Sequence, residues 1–140
     1  MAYITDGRLV RNFTLAEMTN KQAKDQVKLV LTPEVVEHAQ MMQELRNWYG
    51  KPMEVSSWFR TPSFNRSCSG ASNSAHLDGR ATDIKGLPKE MYQKFVTAWE
   101  TICCAHGKVG GCVLYDWGIH FDSYSDKFGY KKFRLQDKRK

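Results

Sequence analysis

Apolar residues recur along this chain with two different periods. Between Thr32 and Gly50, the residues Val35, Ala39, Met42, Leu45 and Tyr49 keep a helical beat. Thr32 is a good cap, and Pro33 already has the φ that a first helical turn needs. Gly50 and Pro52 stop the pattern, so a helix is predicted over 33–49. A second helix is predicted from Pro88 to Gly107, with Met91, Phe95, Trp99 and Ile102 inward. Thr14 and Glu17, three apart and just after Phe13, have the spacing of a capping box and predict a short helix. Four runs read instead as strands: 53–59, 80–85, 109–115 and 119–124, the last two joined at Asp116-Trp117-Gly118. Residues 60–78 are rich in Ser, Asn and Gly and predict a long irregular loop, of a length that usually serves function. The order of elements predicts an α+β fold with a small, mostly antiparallel sheet flanked by helices.

Length and charge refine this picture. With 140 residues, no internal repeat and no linker, the chain is expected to form one domain over 1–126, followed by a basic tail at 127–140. The tail holds seven Lys or Arg and one acid, and the remainder is balanced at 14 of each sign. Such an end is expected to be solvated and to fray; a polyanionic partner is the sharper alternative. Nucleic acid would rest on that charge alone and is not the expected partner. No apolar run approaches the roughly 18 residues of a membrane span. The opening residues lack a basic region followed by an apolar core, so synthesis and retention in the cytoplasm are expected unless other machinery releases the chain. Four cysteines without a C-x-x-C pair are expected as reduced thiols rather than a structural zinc site.

The candidate chemistry lies in two short runs, Ser74–Ile84 and Trp117–Asp122. Strand alternation puts Ala81 and Asp83 on one face, with His120 and Asp122 likewise together and Ile119 and Phe121 behind them. His76, Asp83 and His120 offer two imidazoles and a carboxylate, a donor set that leaves a fourth position open on a catalytic zinc ion. Spacing alone leaves that role and ordinary structural roles evenly balanced. His38 and His106 have no partner at ligand spacing and read as structural.

The pattern Ser74-x-His76-x-x-Gly79-x-Ala81-x-Asp83, followed by His120-x-Asp122, resembles the zinc D-alanyl-D-alanine carboxypeptidase family. That family includes L-alanyl-D-glutamate endopeptidases used as phage lysins and shares its fold with the hedgehog signalling domain. Asn12–Thr19, Leu45-Arg46 and Ser56–Asn65 resemble further segments of it, so the likeness spans roughly residues 10 to 125. It implies a hedgehog/DD-peptidase-like fold and Zn2+ held by His76, Asp83 and His120. It also implies activity on peptidoglycan stem peptides at the cell wall, as a phage-type lytic endopeptidase or a D,D-carboxypeptidase. Arg60 would polarise the scissile carbonyl or hold a substrate carboxylate, and Ser74 would hydrogen-bond near the site. Many members carry an acidic general base three residues before the last His, where this chain has Trp117. Asp116 is then the expected base, provided the turn swings its carboxylate toward the metal, while Asp122 is expected to orient an imidazole. The departure also leaves room for an impaired, zinc-holding module for wall binding or assembly.

Overall fold

A computed structural model of the chain describes residues 8–19, 31–68 and 70–140; the opening residues read above for a leader lie mostly outside that range. In chain order the elements are β1 (Arg8–Val10), β2 (Phe13–Thr14), α1 (Leu15–Met18), α2 (Pro33–Tyr49), β3 (Glu54–Ser57), α3 (Pro62–Ser67), β4 (Ala81–Lys85), α4 (Tyr92–Ala105), β5 (Gly111–Leu114), β6 (Gly118–Asp122) and β7 (Arg134–Asp137). Single 3-10 turns cover Ala75–Asp78, Lys89–Met91 and Ser125–Phe128. The architecture is the expected α+β fold.

The predicted caps form. Thr14 and Glu17 make the reciprocal capping box at α1, and the Thr32 hydroxyl accepts the Val35 N–H at the start of α2. Gly50 ends α2 in the left-handed region at φ 74°, where a side chain would be strained. Five strands make the main sheet in the order β3-β4-β6-β5-β7. All neighbours are antiparallel except β5 and β7, which run parallel.

The register divides the sheet's two faces by chemistry. Val55, Ile84, Ile119 and Leu114 stand opposite one another across four strands and are buried. Together with Phe121 and Cys112 they join the core that includes Met42 and Leu45 of α2 and Phe95 and Trp99 of α4. One position along, the row reads Ser57, Asp83, His120, Val113 and Gln136 across all five strands. An irregularity between Val55 and Ser57 brings Ser57 rather than Ser56 opposite Asp83. Residues directly opposite in a sheet share a face. The second row, polar except for Val113, is the one that carries the candidate residues Asp83 and His120.

Two expectations are corrected. Residues 60–78 are not a structureless loop: Thr61 caps α3 through the Phe64 N–H, with Pro62 in the first turn, and Ala75–Asp78 form a 3-10 turn. The basic C-terminal segment does not simply fray. Arg134–Asp137 is a strand, and Lys127, Arg134 and Arg139 are ion-paired to Asp78, Asp122 and Asp137.

Candidate metal centre

Local structure fixes each ligand before any ion is considered. His76 sits in the 3-10 turn that Ser74 caps, the Ser74 hydroxyl accepting the His76 N–H at 3.2 Å. Gly79 closes that turn at φ 68°, in the left-handed region, and returns the chain into β4. The segment after β3 pins the turn from below. Arg60 N–H donates to the His76 carbonyl, and the indole N–H of Trp58 donates to the Gly79 carbonyl. The His76 ring lies 2.6 Å from the Trp58 carbonyl through Nδ1, which must therefore carry the proton. Nε2 is left unprotonated for a metal.

Asp83 and His120 are cross-strand partners on β4 and β6. Asp83 Oδ2 is 3.3 Å from His76 Nε2, and Asp83 Oδ1 is 2.9 Å from His120 Nδ1. One donor atom from each of the three side chains lies within 4.8 Å of the others. His120 uses its second nitrogen, Nε2, against Asp122 Oδ2 at 3.3 Å. Asp122 is itself fully buried and accepts from the Arg134 guanidinium at 2.9 Å and from the Ser125 hydroxyl at 2.7 Å. Each imidazole is thus held by its outer nitrogen with its inner nitrogen facing Asp83, the usual arrangement behind metal-bound histidines. Asp122 stands against the outer nitrogen of His120, the position of a partner that orients an imidazole.

The electrostatics follow from these contacts. Burial lowers the His76 pKa, against the pull of Asp83. Burial works the same way on His120, but hydrogen bonds to Asp122 and Asp83, and their charges, push it up to about 9. Burial alone would raise the Asp83 carboxyl; the charges and hydrogen bonds of His76 and His120 hold it well below the usual carboxylate range. The centre is therefore an ionised carboxylate between two imidazoles, and one of them takes a proton when no cation competes for its lone pair. Two nitrogens and a carboxylate oxygen with room for a fourth ligand fit zinc.

The three candidate ligands open onto a cleft of about 500 Å³ lined also by Arg60, Ser74, Tyr115, Trp117, Gln136 and Lys138. Arg60 is brought to the centre as expected. Its guanidinium donates to Ser57 Oγ, Asn65 Oδ1 and, at 3.5 Å, Asp83 Oδ2. Ser74 lines the cleft as well as capping the turn.

Asp116 is not brought there. Its hairpin neighbours Tyr115 and Trp117 line the cleft and stack on each other with ring centroids 4.7 Å apart. The Asp116 carboxylate instead accepts the Lys140 N–H at 3.0 Å and lies 3.8 Å from the Lys89 ammonium, half exposed. The turn sends consecutive side chains to opposite sides, and position 116 falls on the outer one. Sequence reasoning missed Arg134, Gln136 and Lys138. Their alternation with Leu135 and Asp137 is the signal that could have found them.

Among solved structures the chain is similar to the Serratia marcescens L-Ala D-Glu endopeptidase ChiX, at 18% identity and a TM-score of 0.48, over 71% of this chain and 84% of that one. No curated protein matches it by sequence. Residues 11–122, a span that holds His76, Asp83, His120 and Arg60, match the family described as Peptidase M15. The chain belongs to that family, the zinc D-alanyl-D-alanine carboxypeptidases and their endopeptidase relatives.

Proposed function

We propose that this protein is a zinc-dependent peptidase that hydrolyses the stem peptide of bacterial peptidoglycan. The observation that carries the reading is the convergence of His76, Asp83 and His120 within 4.8 Å at the floor of an open cleft, in a chain of a peptidase family. When bound, zinc supplies Lewis acidity that makes water nucleophilic near neutral pH. The chain's own part is to hold and orient the peptide. Arg60, fixed by Ser57, Asn65 and Asp83, presents its fork of donors to a carbonyl or carboxylate oxygen in the cleft. The stacked Tyr115 and Trp117 rings form an apolar wall beside it.

Of the two activities the family resemblance implies, we favour a lytic endopeptidase of phage type over a D,D-carboxypeptidase. The net charge of +6 suits adhesion to the polyanionic wall, where the protein would act after release from the cytoplasm. Incubating zinc-loaded protein with purified sacculi and sequencing the new termini by mass spectrometry tests both. Cuts within the stem support the endopeptidase, and release of free D-alanine supports the carboxypeptidase. Muropeptides that stay intact would overturn each.

A second reading has a specific observation behind it. Among the described residues, Asp83 is the one carboxylate lining the cleft, because Asp116 faces Lys89 and Lys140. A zinc-holding module that binds the wall without cutting it would need no further acid. It predicts sacculus sedimentation with no new termini. The peptidase reading in this geometry predicts that Asp116→Ala keeps cleavage within a few-fold of the parent.

A further inference from the structure

The strand that sequence analysis took for part of a solvated tail forms one wall of the cleft. On β7 and just beyond it, Arg134, Gln136 and Lys138 alternate with Leu135 and Asp137, and all three of the former line the cleft. Gln136 belongs to the same cross-strand row as Asp83 and His120, with Val113 between. Two inter-strand steps therefore separate Gln136 from His120, about 10 Å at the backbone. Lys138 lies two residues further along, and its backbone N–H donates to the Leu114 carbonyl at 2.8 Å, so its Cα is held by the sheet.

Among the described residues, the three cations that line the cleft differ in what they already face. Arg60 is shared between Ser57, Asn65 and Asp83, and Arg134 is bound to Asp122. Lys138 has no ion-pair partner among the described residues, although it stands in a cleft whose one lining carboxylate, Asp83, is enclosed by histidines. An exposed ammonium without an ion-pair partner, just past the end of β7 and about 12 Å from His120 at the backbone, is placed to meet a negative charge carried by the substrate. The segment that supplies it also lies beyond residue 122, where the match to the peptidase family ends.

We propose that β7 is a substrate-recognition strand and that Lys138 binds a free carboxylate of the peptide near the scissile bond, with Gln136 offering its amide to the peptide backbone between Lys138 and the metal centre. The proposal rests on the peptidase reading for its substrate class. It assigns specificity to Lys138 and no part in the chemistry.

The test compares a synthetic stem pentapeptide with versions amidated at one carboxylate at a time. Each is given to the zinc-loaded wild type and to Lys138→Gln and Lys138→Arg proteins of matched zinc content and melting temperature. One amidation is expected to raise the wild-type KM about tenfold with kcat within twofold. Lys138→Gln should show that raised KM on the free peptide and be indifferent to the same amidation, and Lys138→Arg should recover most of the loss. Wild-type and Lys138→Gln proteins with equal KM, or an amidation penalty that persists in Lys138→Gln, would overturn the assignment. If the wild type cuts neither peptides nor sacculi, the peptidase reading fails by itself. Calorimetric binding of the pentapeptide, weakened about tenfold by Lys138→Gln or left unchanged, then decides the role of the strand.

Discussion

Four histidines in one small domain take different roles because their neighbours differ, and the ring nitrogens show how. His76 and His120 each have one nitrogen anchored and the other turned to Asp83. His106 lies between the carboxylates of Glu37 and Glu44, which raise its pKa against partial burial and tie the end of α4 to α2. His38 is fully buried, with Nδ1 2.7 Å from the Ser123 hydroxyl and Nε2 2.9 Å from the Thr82 hydroxyl, and its ring packs edge-on to Trp58 and Trp99. Burial drives its pKa down to about 3, so the folded protein holds it neutral. In the unfolded chain it titrates at its ordinary value near 6.5. Between those values the unfolded state binds a proton that the folded state does not, so stability falls with pH at about 1.4 kcal/mol per unit below 6.5. His38→Gln, which cannot charge, should be less stable than the parent at pH 7.5 by about 1–3 kcal/mol for the lost hydrogen bonds. Urea unfolding should show that gap narrowing by about 2 kcal/mol at pH 5. A gap that stays constant would mean the imidazole is not held neutral. His38 and His106, read as structural from the sequence, face the Ser123 and Thr82 hydroxyls and the Glu37 and Glu44 carboxylates, away from the group formed by His76, Asp83 and His120.

At the scale of elements, legibility followed apolar periodicity. The helices α2 and α4 carry buried residues at a helical period, and the strands β4, β5 and β6 are short runs buried nearly throughout; the start of α1 was legible instead from the Thr14–Glu17 spacing. The elements that escaped carry little apolar signal. The sequence of α3 is Pro-Ser-Phe-Asn-Arg-Ser, which burial does not mark as a helix; its start is Thr61-Pro62, the same cap that opens α2. In β7 the sequence Arg-Leu-Gln-Asp alternates polar residues with one half-exposed Leu135. It is a strand because its backbone pairs with β5, and Gly111 opposite Arg134 leaves room for the guanidinium to reach Asp122. A Cβ at Gly111 would stand 2.8 Å from the Arg134 carbonyl oxygen.

That reach gives β7 a second consequence, independent of Lys138. Arg134→Ala would leave the buried Asp122 carboxylate without its cation and loosen its hold on His120. Zinc affinity, measured by competition with a chromogenic chelator, should fall roughly ten- to a hundredfold, with Arg134→Lys in between. Unchanged affinity in Arg134→Ala would show that Asp122 needs no help to orient His120.

Across the whole molecule, the two faces of one sheet separate stability from chemistry. The apolar row and the helices behind it bury the core, while the three ligands and their supports occupy the opposite face, which opens on the cleft. The His76, Asp83 and His120 side chains are not part of that apolar cluster, so removing the ion removes no core contact. Chelator-treated protein is therefore expected to keep its far-UV and near-UV circular dichroism. Zinc should nonetheless stabilise it by linkage, because the unfolded chain has no assembled site: about 2.7 kcal/mol when free zinc is a hundred times Kd. For a domain of this size that corresponds to a rise in Tm of roughly 6–10 °C. His76→Ala should melt cooperatively near the metal-free parent and show no response to zinc. The outcome also bears on the choice between enzyme and structural module. A chain that needs its ion in order to fold would lose tertiary signal on chelation, as small zinc domains do. Loss of near-UV signal in the chelated wild type, together with failure of His76→Ala to fold, would show that the metal holds the architecture together and would count against a catalytic ion set on a self-sufficient scaffold.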